Sequence, residues 1–287
     1  MNPVVTVGLD GTPESLSAAL WAAQEASARG ATLRFLHAWV LLSPETGSQQ
    51  PEGDRNYWPK RIVSDACDTI MERFPDLPVY EDLVATEPVD ALLEAATESQ
   101  TLVLGSRALS SLTGYFLGDI GMQVLARAAV PTVLVRARKD AAPITEEGDV
   151  VLGLGLRHPC DKLIEYAFGA AIRRGATLRA VHGRSLPPSA YNRGGPAPYL
   201  SRELTREAQQ DLTRTLSPWR DRFPDVRVVE SVRMESPGRA VVRDIAGTGL
   251  LVVGRREKRP ALSPRIGHVL SAAVHHAPCP VAVVPHC

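Results

Sequence analysis

Arg29-Gly30-Ala31-Thr32-Leu33-Arg34 recurs unchanged as Arg174-Gly175-Ala176-Thr177-Leu178-Arg179. Working outward, Arg73-Phe74-Pro75-Asp76 returns as Arg222-Phe223-Pro224-Asp225, and Leu102-Val103-Leu104-Gly105 as Leu251-Val252-Val253-Gly254. The copies stay in step apart from a few residues inserted in the second. A repeat of this length is a duplicated domain, because solenoid units repeat every 20–50 residues or so. Each copy, at about 140 residues, is large enough for its own core.

Within each copy, short β-branched runs alternate with stretches of helical period. Val4–Leu9, Thr32–Trp39, Val79–Val84, Leu102–Gly105 and Pro131–Val135 read as strands. Pro13–Arg29, Ile62–Phe74, Val89–Thr97 and about Gly118–Ala128 read as helices, the first with Leu16, Ala19, Leu20, Ala23 and Ala26 on one stripe. The second copy places strands near Val150–Leu154, Thr177–His182, Val226–Val232, Leu250–Gly254 and Val281–Val284. Strands apolar on both faces and separated by helices imply a parallel sheet covered on two sides. The expected fold is α/β: two tandem doubly wound domains, each a mostly parallel five-stranded sheet with helices on both faces. Residues 1–138 form the first domain, 139–147 the linker and 148–287 the second. Leu42–Asn56 and Ser185–Tyr199 read as long loops.

Composition excludes several classes. Net charge is zero, with 32 basic and 32 acidic residues, so no global field draws nucleic acid or anionic lipid. The chain shows no signal-peptide pattern and no apolar run long enough to span a bilayer. Cys67, Cys160, Cys279 and Cys287 have no paired spacing, which suits reduced thiols and a cytoplasmic setting.

Ligands of open α/β sheets bind beyond the carboxyl ends of the strands, where the winding reverses. That edge should collect Asp10-Gly11, His37-Ala38 and Gly105-Ser106-Arg107, followed by a Gly/Ser-rich loop to Gly118 at a helix start. Free amides and the helix dipole there favour an anion.

These residues resemble a tandem universal stress protein, over nearly the whole chain. The likeness is carried by VTVGLDGTPES at the start, GATLRFLHAW at strand two, LVLGSRALSSLTGYFLGD, and the closing HHAPCPVAVVPH. Nucleotide-binding members of that family resemble a pattern of Gly-x-x-Gly, nine residues, then Gly-(Ser/Thr). The resemblance implies an aspartate after strand one that fixes adenosine, and a residue after the strand-two histidine that contacts adenine through its backbone. In the first copy these are Asp10 and Ala38, with Gly105, Arg107, Ala108 and Gly118 in the loop and Asp119 in the Ser/Thr position. In the second copy Gly155 replaces the aspartate and Glu257 the second glycine, while Gly254, Gly267 and His268 keep the spacing.

Each departure has a physical meaning. Ala108 costs little at negative φ and is strained in the left-handed region. Asp119 at a helix start would accept the free amides itself and repel phosphate, unless Mg²⁺ lies between them. In the second copy, Gly254-Arg255-Arg256-Glu257-Lys258-Arg259 reads as a solvated basic loop, the alternative being guanidinium groups that take over phosphate binding.

The resemblance implies a cytoplasmic stress-response regulator binding ATP, with Mg²⁺ as an option, in the first domain before the second. The alternative is a nucleotide-free scaffold acting through protein contacts. No catalytic residue is assigned: no nucleophile elbow is present, and no base for water can be named. His37 and His182 read as satisfied core-edge histidines. His275, His276, Cys279, His286 and Cys287 fit no zinc pattern and read as packing and exposed tail, so no metal ligand is assigned. Trp39, Trp58 and Trp219 read as core or loop anchors. Expected partners are an adenine nucleotide and an unidentified protein, with the last strands pairing the two copies into an internal pseudo-dimer that can dimerise further.

Overall fold

The computed structural model describes residues 3–40, 57–108, 115–116, 118–137, 148–158, 160–186, 191–192, 195–196, 198–257 and 267–286. Readings of Leu42–Asn56, the linker 139–147 and Lys258–Arg265 lie outside the described residues. Two compact units emerge, Met1–Ile144 and Thr145–Cys287.

Unit 1 begins with β1 (Val4–Gly8), α1 (Pro13–Arg29), β2 (Thr32–Ala38) and α2 (Tyr57–Met71). β3 (Val79–Val84), α3 (Pro88–Thr97), β4 (Thr101–Ala108), β5 (Tyr115–Phe116), α4 (Asp119–Arg127) and β6 (Thr132–Arg136) follow. Five strands pair in parallel in the order β3-β2-β1-β4-β6. Unit 2 contains β7 (Asp149–Gly153), α5 (Asp161–Arg174), β8 (Leu178–Gly183), β9 (Tyr191–Asn192) and β10 (Gly195–Pro196). It continues with α6 (Pro198–Arg222), β11 (Val228–Arg233), α7 (Pro237–Arg243), β12 (Thr248–Arg256), α8 (His268–His276) and β13 (Val281–His286). Its sheet repeats the order, β11-β8-β7-β12-β13, again parallel. The short β9–β10 pair, within the stretch read as a loop, is antiparallel.

The exact repeats are helix stops. Gly30 and Gly175 end α1 and α5 in the left-handed region, at φ 60 and 57, where a side chain would be strained. The amides of Ala31 and Ala176 then reach back to the carbonyls of Ala26 and Ala171 (2.9 and 3.0 Å) before β2 and β8 begin. Likewise the Phe74 and Phe223 amides bond the carbonyls of Ile70 and Trp219, and the following proline prevents further helix. This turn ends α2 at Met71 rather than Phe74. Central strands are fully buried on both faces, as at Val5 and Thr6, Leu102 and Val103, and Val133 and Leu134, which agrees with a sheet covered on two sides.

Three strands run two or more residues past the stretches that announced them. β4 extends to Ala108, β12 to Arg256 and β13 to His286. Ladder bonds tolerate charged side chains at strand ends, so Arg255 pairs with Pro285 and Arg256 with His286.

Ion pairs brace the outer strands. Arg34 bonds Asp82 across β2 and β3 and reaches Glu98 at 3.0 Å. In unit 2, Arg233 grips Asp244 through two bonds, and the Ser231 hydroxyl donates to the same carboxylate at 2.8 Å. The hydrogen bonds from Arg233 outweigh burial and hold the Asp244 carboxyl below the usual carboxylate range. A depressed folded pKa gives stability that is present above the unfolded value near 3.9 and lost as pH falls through the folded one. Asp244→Asn should therefore cost about 1 kcal/mol at pH 7, the worth of a partly screened pair. Thermal unfolding should show that gap closing below about pH 4; a gap independent of pH would remove the assignment.

Candidate functional site

In unit 1 the carboxyl edge begins with a tight turn. The Thr12 amide (3.0 Å) and hydroxyl (2.5 Å) both donate to Asp10 Oδ1, while Thr12 Oγ1 accepts from the Ser15 amide (3.2 Å) as the N-cap of α1. Asp10 is exposed, and its Oδ2 has no partner among the described residues. Gly11 sits at φ 78, and a Cβ there would lie 3.1 Å from Ile62 Cγ1 of α2. Thr12 and Ile62 were not singled out from the sequence; the Asp-Gly-Thr turn before a helix was the available signal.

Gly105 is demanded by close approach. A Cβ on it would lie 2.6 Å from the Glu14 carbonyl carbon and 2.8 Å from the Ser15 nitrogen. The first turn of α1 therefore lies against the end of β4. Next in sequence, buried Ser106 accepts a hydrogen bond from the buried Arg136 guanidinium.

The stretch after Gly105 differs from the expected loop. Arg107 and Ala108 are strand residues, with their backbones paired antiparallel to Phe116 and Tyr115 of β5. Gly118 then caps α4 at φ −60 and ψ 167, with no side-chain cap. Asp119 is exposed and accepts none of the helix-start amides, contrary to the expected self-capping. Among the described residues, no side chain caps this N-terminus and none partners the Asp119 carboxylate.

His37 and His182 have matching roles. Each imidazole Nδ1 meets a carbonyl, Leu9 O at 2.8 Å and Leu154 O at 2.9 Å. A carbonyl can only accept, so Nδ1 carries the proton in both rings. Each ring ties the end of the second strand to the end of the first. Ala38, next to His37, is half-buried at the end of β2.

Unit 2 arranges the same edge differently. α5 starts about one turn later than the repeat would place it, and Gly155 supplies no carboxylate. Gly254, the counterpart of Gly105, faces side chains: a Cβ would lie 2.7 Å from His286 Nε2 and 3.1 Å from Leu163 Cδ2. Gly183, the counterpart of Ala38, is buried under α7, where a Cβ would lie 2.6 Å from Pro237 Cα. Gly267 caps α8 without a side-chain bond, and His268 beside it is exposed.

Of the basic cluster after Gly254, Arg255 is not in a solvated loop but only 5% exposed, within β12, while Arg256 and Glu257 are exposed. His286 is likewise in a strand, 9% exposed, rather than in an exposed tail. Among the described residues no three of His, Cys, Asp and Glu converge on a metal position. No helix among them is long and apolar enough to cross a membrane. An open cavity of about 400 Å³ lies at the other end of unit 1, lined by Ala26, Gly30, Phe74 and Pro78 among others, away from every candidate residue.

Comparison with known proteins follows this division into copies. Universal stress protein Rv2005c of Mycobacterium tuberculosis is 29% identical, across 97% of this chain and 96% of its own. A universal stress protein from Archaeoglobus fulgidus superposes with a TM-score of 0.64 at 14% identity, covering 98% of both chains, a likeness of fold alone. A universal stress protein in complex with cAMP matches 48% of this chain at 27% identity and a TM-score of 0.37, too slight a likeness to bear on this chain's ligand. The model of the universal stress protein family matches residues 1–136 and again 149–285. With both copies matched, the chain belongs to the universal stress protein family.

Proposed function

We propose that unit 1 binds an adenine nucleotide, ATP in the first instance, and that the chain is a cytoplasmic stress-response regulator rather than an enzyme. Fold alone does not carry this reading. The observation that does is the meeting, at one sheet edge, of the exposed Asp10 carboxylate, Gly105 flush against the first turn of α1, and the uncapped start of α4 at Gly118. Asp10 Oδ2 suits a ribose hydroxyl, and the α4 amides suit a polyphosphate. Thr12 holds the carboxylate in place, which limits the freedom lost on binding. His37 donates its Nδ1 proton to the Leu9 carbonyl and so braces the ends of the first two strands. Unit 2 lacks the carboxylate and covers Gly183 with Pro237, so its role is support and partner contact.

Asp119 sets the affinity. Its carboxylate has no protein partner among the described residues, and its charge opposes phosphate at the helix start. The same group suits Mg²⁺, a hard cation that takes carboxylate and phosphate oxygens together. Without Mg²⁺, Asp119→Ser is expected to bind ATP about tenfold more tightly than the natural chain, the effect of removing one close like charge. Titration calorimetry with and without Mg²⁺ tests this. A serine variant that binds no better, or a natural chain equally tight without the cation, would overturn it.

A further inference from the structure

Trp58 stands apart from the other tryptophans. Trp21 is buried, Trp39 stacks on His37 with centroids 6.0 Å apart, and Trp219 packs on Phe168 and Phe223. Trp58, on the first turn of α2, is 66% exposed and so is not a core residue. The Arg61 guanidinium lies 5.9 Å from its ring centroid and 3.6 Å from the Asp65 carboxylate.

Its place in the fold follows from two contacts. Ile62 lies against Gly11, so the start of α2 overlooks the Asp10–Gly11 turn. Trp58 is four residues earlier on the same helix face, about 6 Å further beyond the sheet edge. The second copy locates this position independently. Counting back from the shared Arg-Phe-Pro-Asp turn, Trp58 corresponds to Glu207 of α6. Glu207 reaches across to Arg184 at 3.0 Å, the residue directly after Gly183. Side chains at this helix position and just past the second strand therefore meet, and in unit 1 those positions hold Trp58 and Trp39.

We infer that Trp58 is a stacking platform for the nucleobase, closing the cleft between Asp10 and Ala38 from the α2 side. This rests on the proposed nucleotide site and adds to it the residue that reads the base. Each base offers a flat π face, and an exposed indole offers another, so contact removes both from water without needing a particular hydrogen-bond pattern. The Arg61 cation steadies the ring. Unit 2 has Glu207 there, bound to Arg184, and so has no such platform.

Three proteins are compared: the natural chain, Trp58→Ala and Trp58→Phe. Trp58→Ala should weaken ATP binding about tenfold, within the range for losing one base–aromatic stack, while Trp58→Phe should retain most of the affinity. Binding of inorganic tripolyphosphate, which has no base, should be the same in all three. ATP should also quench a component of tryptophan emission that Trp58→Phe lacks. Because the ring is exposed, the melting temperatures should agree. ATP affinity unchanged in Trp58→Ala overturns the platform and leaves the nucleotide site standing. Equal loss of ATP and tripolyphosphate overturns the assignment to the base. A natural chain that binds no ATP overturns both.

Discussion

Gly105→Ala is expected to destabilise unit 1 by roughly 1–3 kcal/mol, the usual cost of forcing a methyl group into a packed site. The obstacle is backbone: the added Cβ would lie 2.6 Å from the Glu14 carbonyl carbon, 2.7 Å from its oxygen and 2.8 Å from the Ser15 nitrogen. Side chains can turn away, but a helix capped by Thr12 and packed on β4 must move as a body. Moving it also carries Thr12 away from Asp10, so nucleotide affinity should fall with stability. Gly118→Ala is the control, since nothing lies within 4 Å of a Cβ there and φ is −60. That change should stay within about 0.5 kcal/mol. Urea unfolding distinguishes the two, and equal stability would show that α1 does not press on β4.

Asp10→Ala should weaken ATP binding by at least about tenfold, the scale of one hydrogen bond to a charged group. It should also cost about 1 kcal/mol of stability, since Thr12 loses the acceptor for its amide and hydroxyl. Asp10→Asn separates these effects. Its amide oxygen can still take both Thr12 donors, so stability should return, while the lost charge keeps binding weak. Asp10→Asn binding as tightly as the natural chain would make the aspartate a turn former and nothing more.

The fold was legible because the exact repeats carry backbone requirements. Gly30 directly follows the helix expected over Pro13–Arg29, and both it and its repeat Gly175 adopt the left-handed geometry that glycine permits. The alternation of strands and helices in both copies followed from the alternation of periods, a local property. Strand ends were less legible. Apolar runs stop at Gly105 and Gly254, yet β4 and β12 continue because ladder bonds depend on the neighbouring backbone, not on the side chain.

Of the candidate site, Asp10, Gly105 and Gly118 could be read from spacing and turn chemistry. The burial of Gly183 beneath Pro237 could not, because it depends on how α7 seats on β8. The same holds for Arg255, which reads as a loop cation beside Arg256 and Lys258 but is buried in a strand. Trp58 reads as a core or loop anchor because the helical period starts only at Ile62, whereas α2 begins at Tyr57 and its first turn exposes the indole.

Calorimetric titration of the natural chain and Asp10→Ala with ATP and Mg²⁺ tests the unit 1 site most directly. One nucleotide per chain, with binding lost or strongly weakened in Asp10→Ala, is the expected result. Two nucleotides per chain, none at millimolar ATP, or undiminished binding in Asp10→Ala would contradict it.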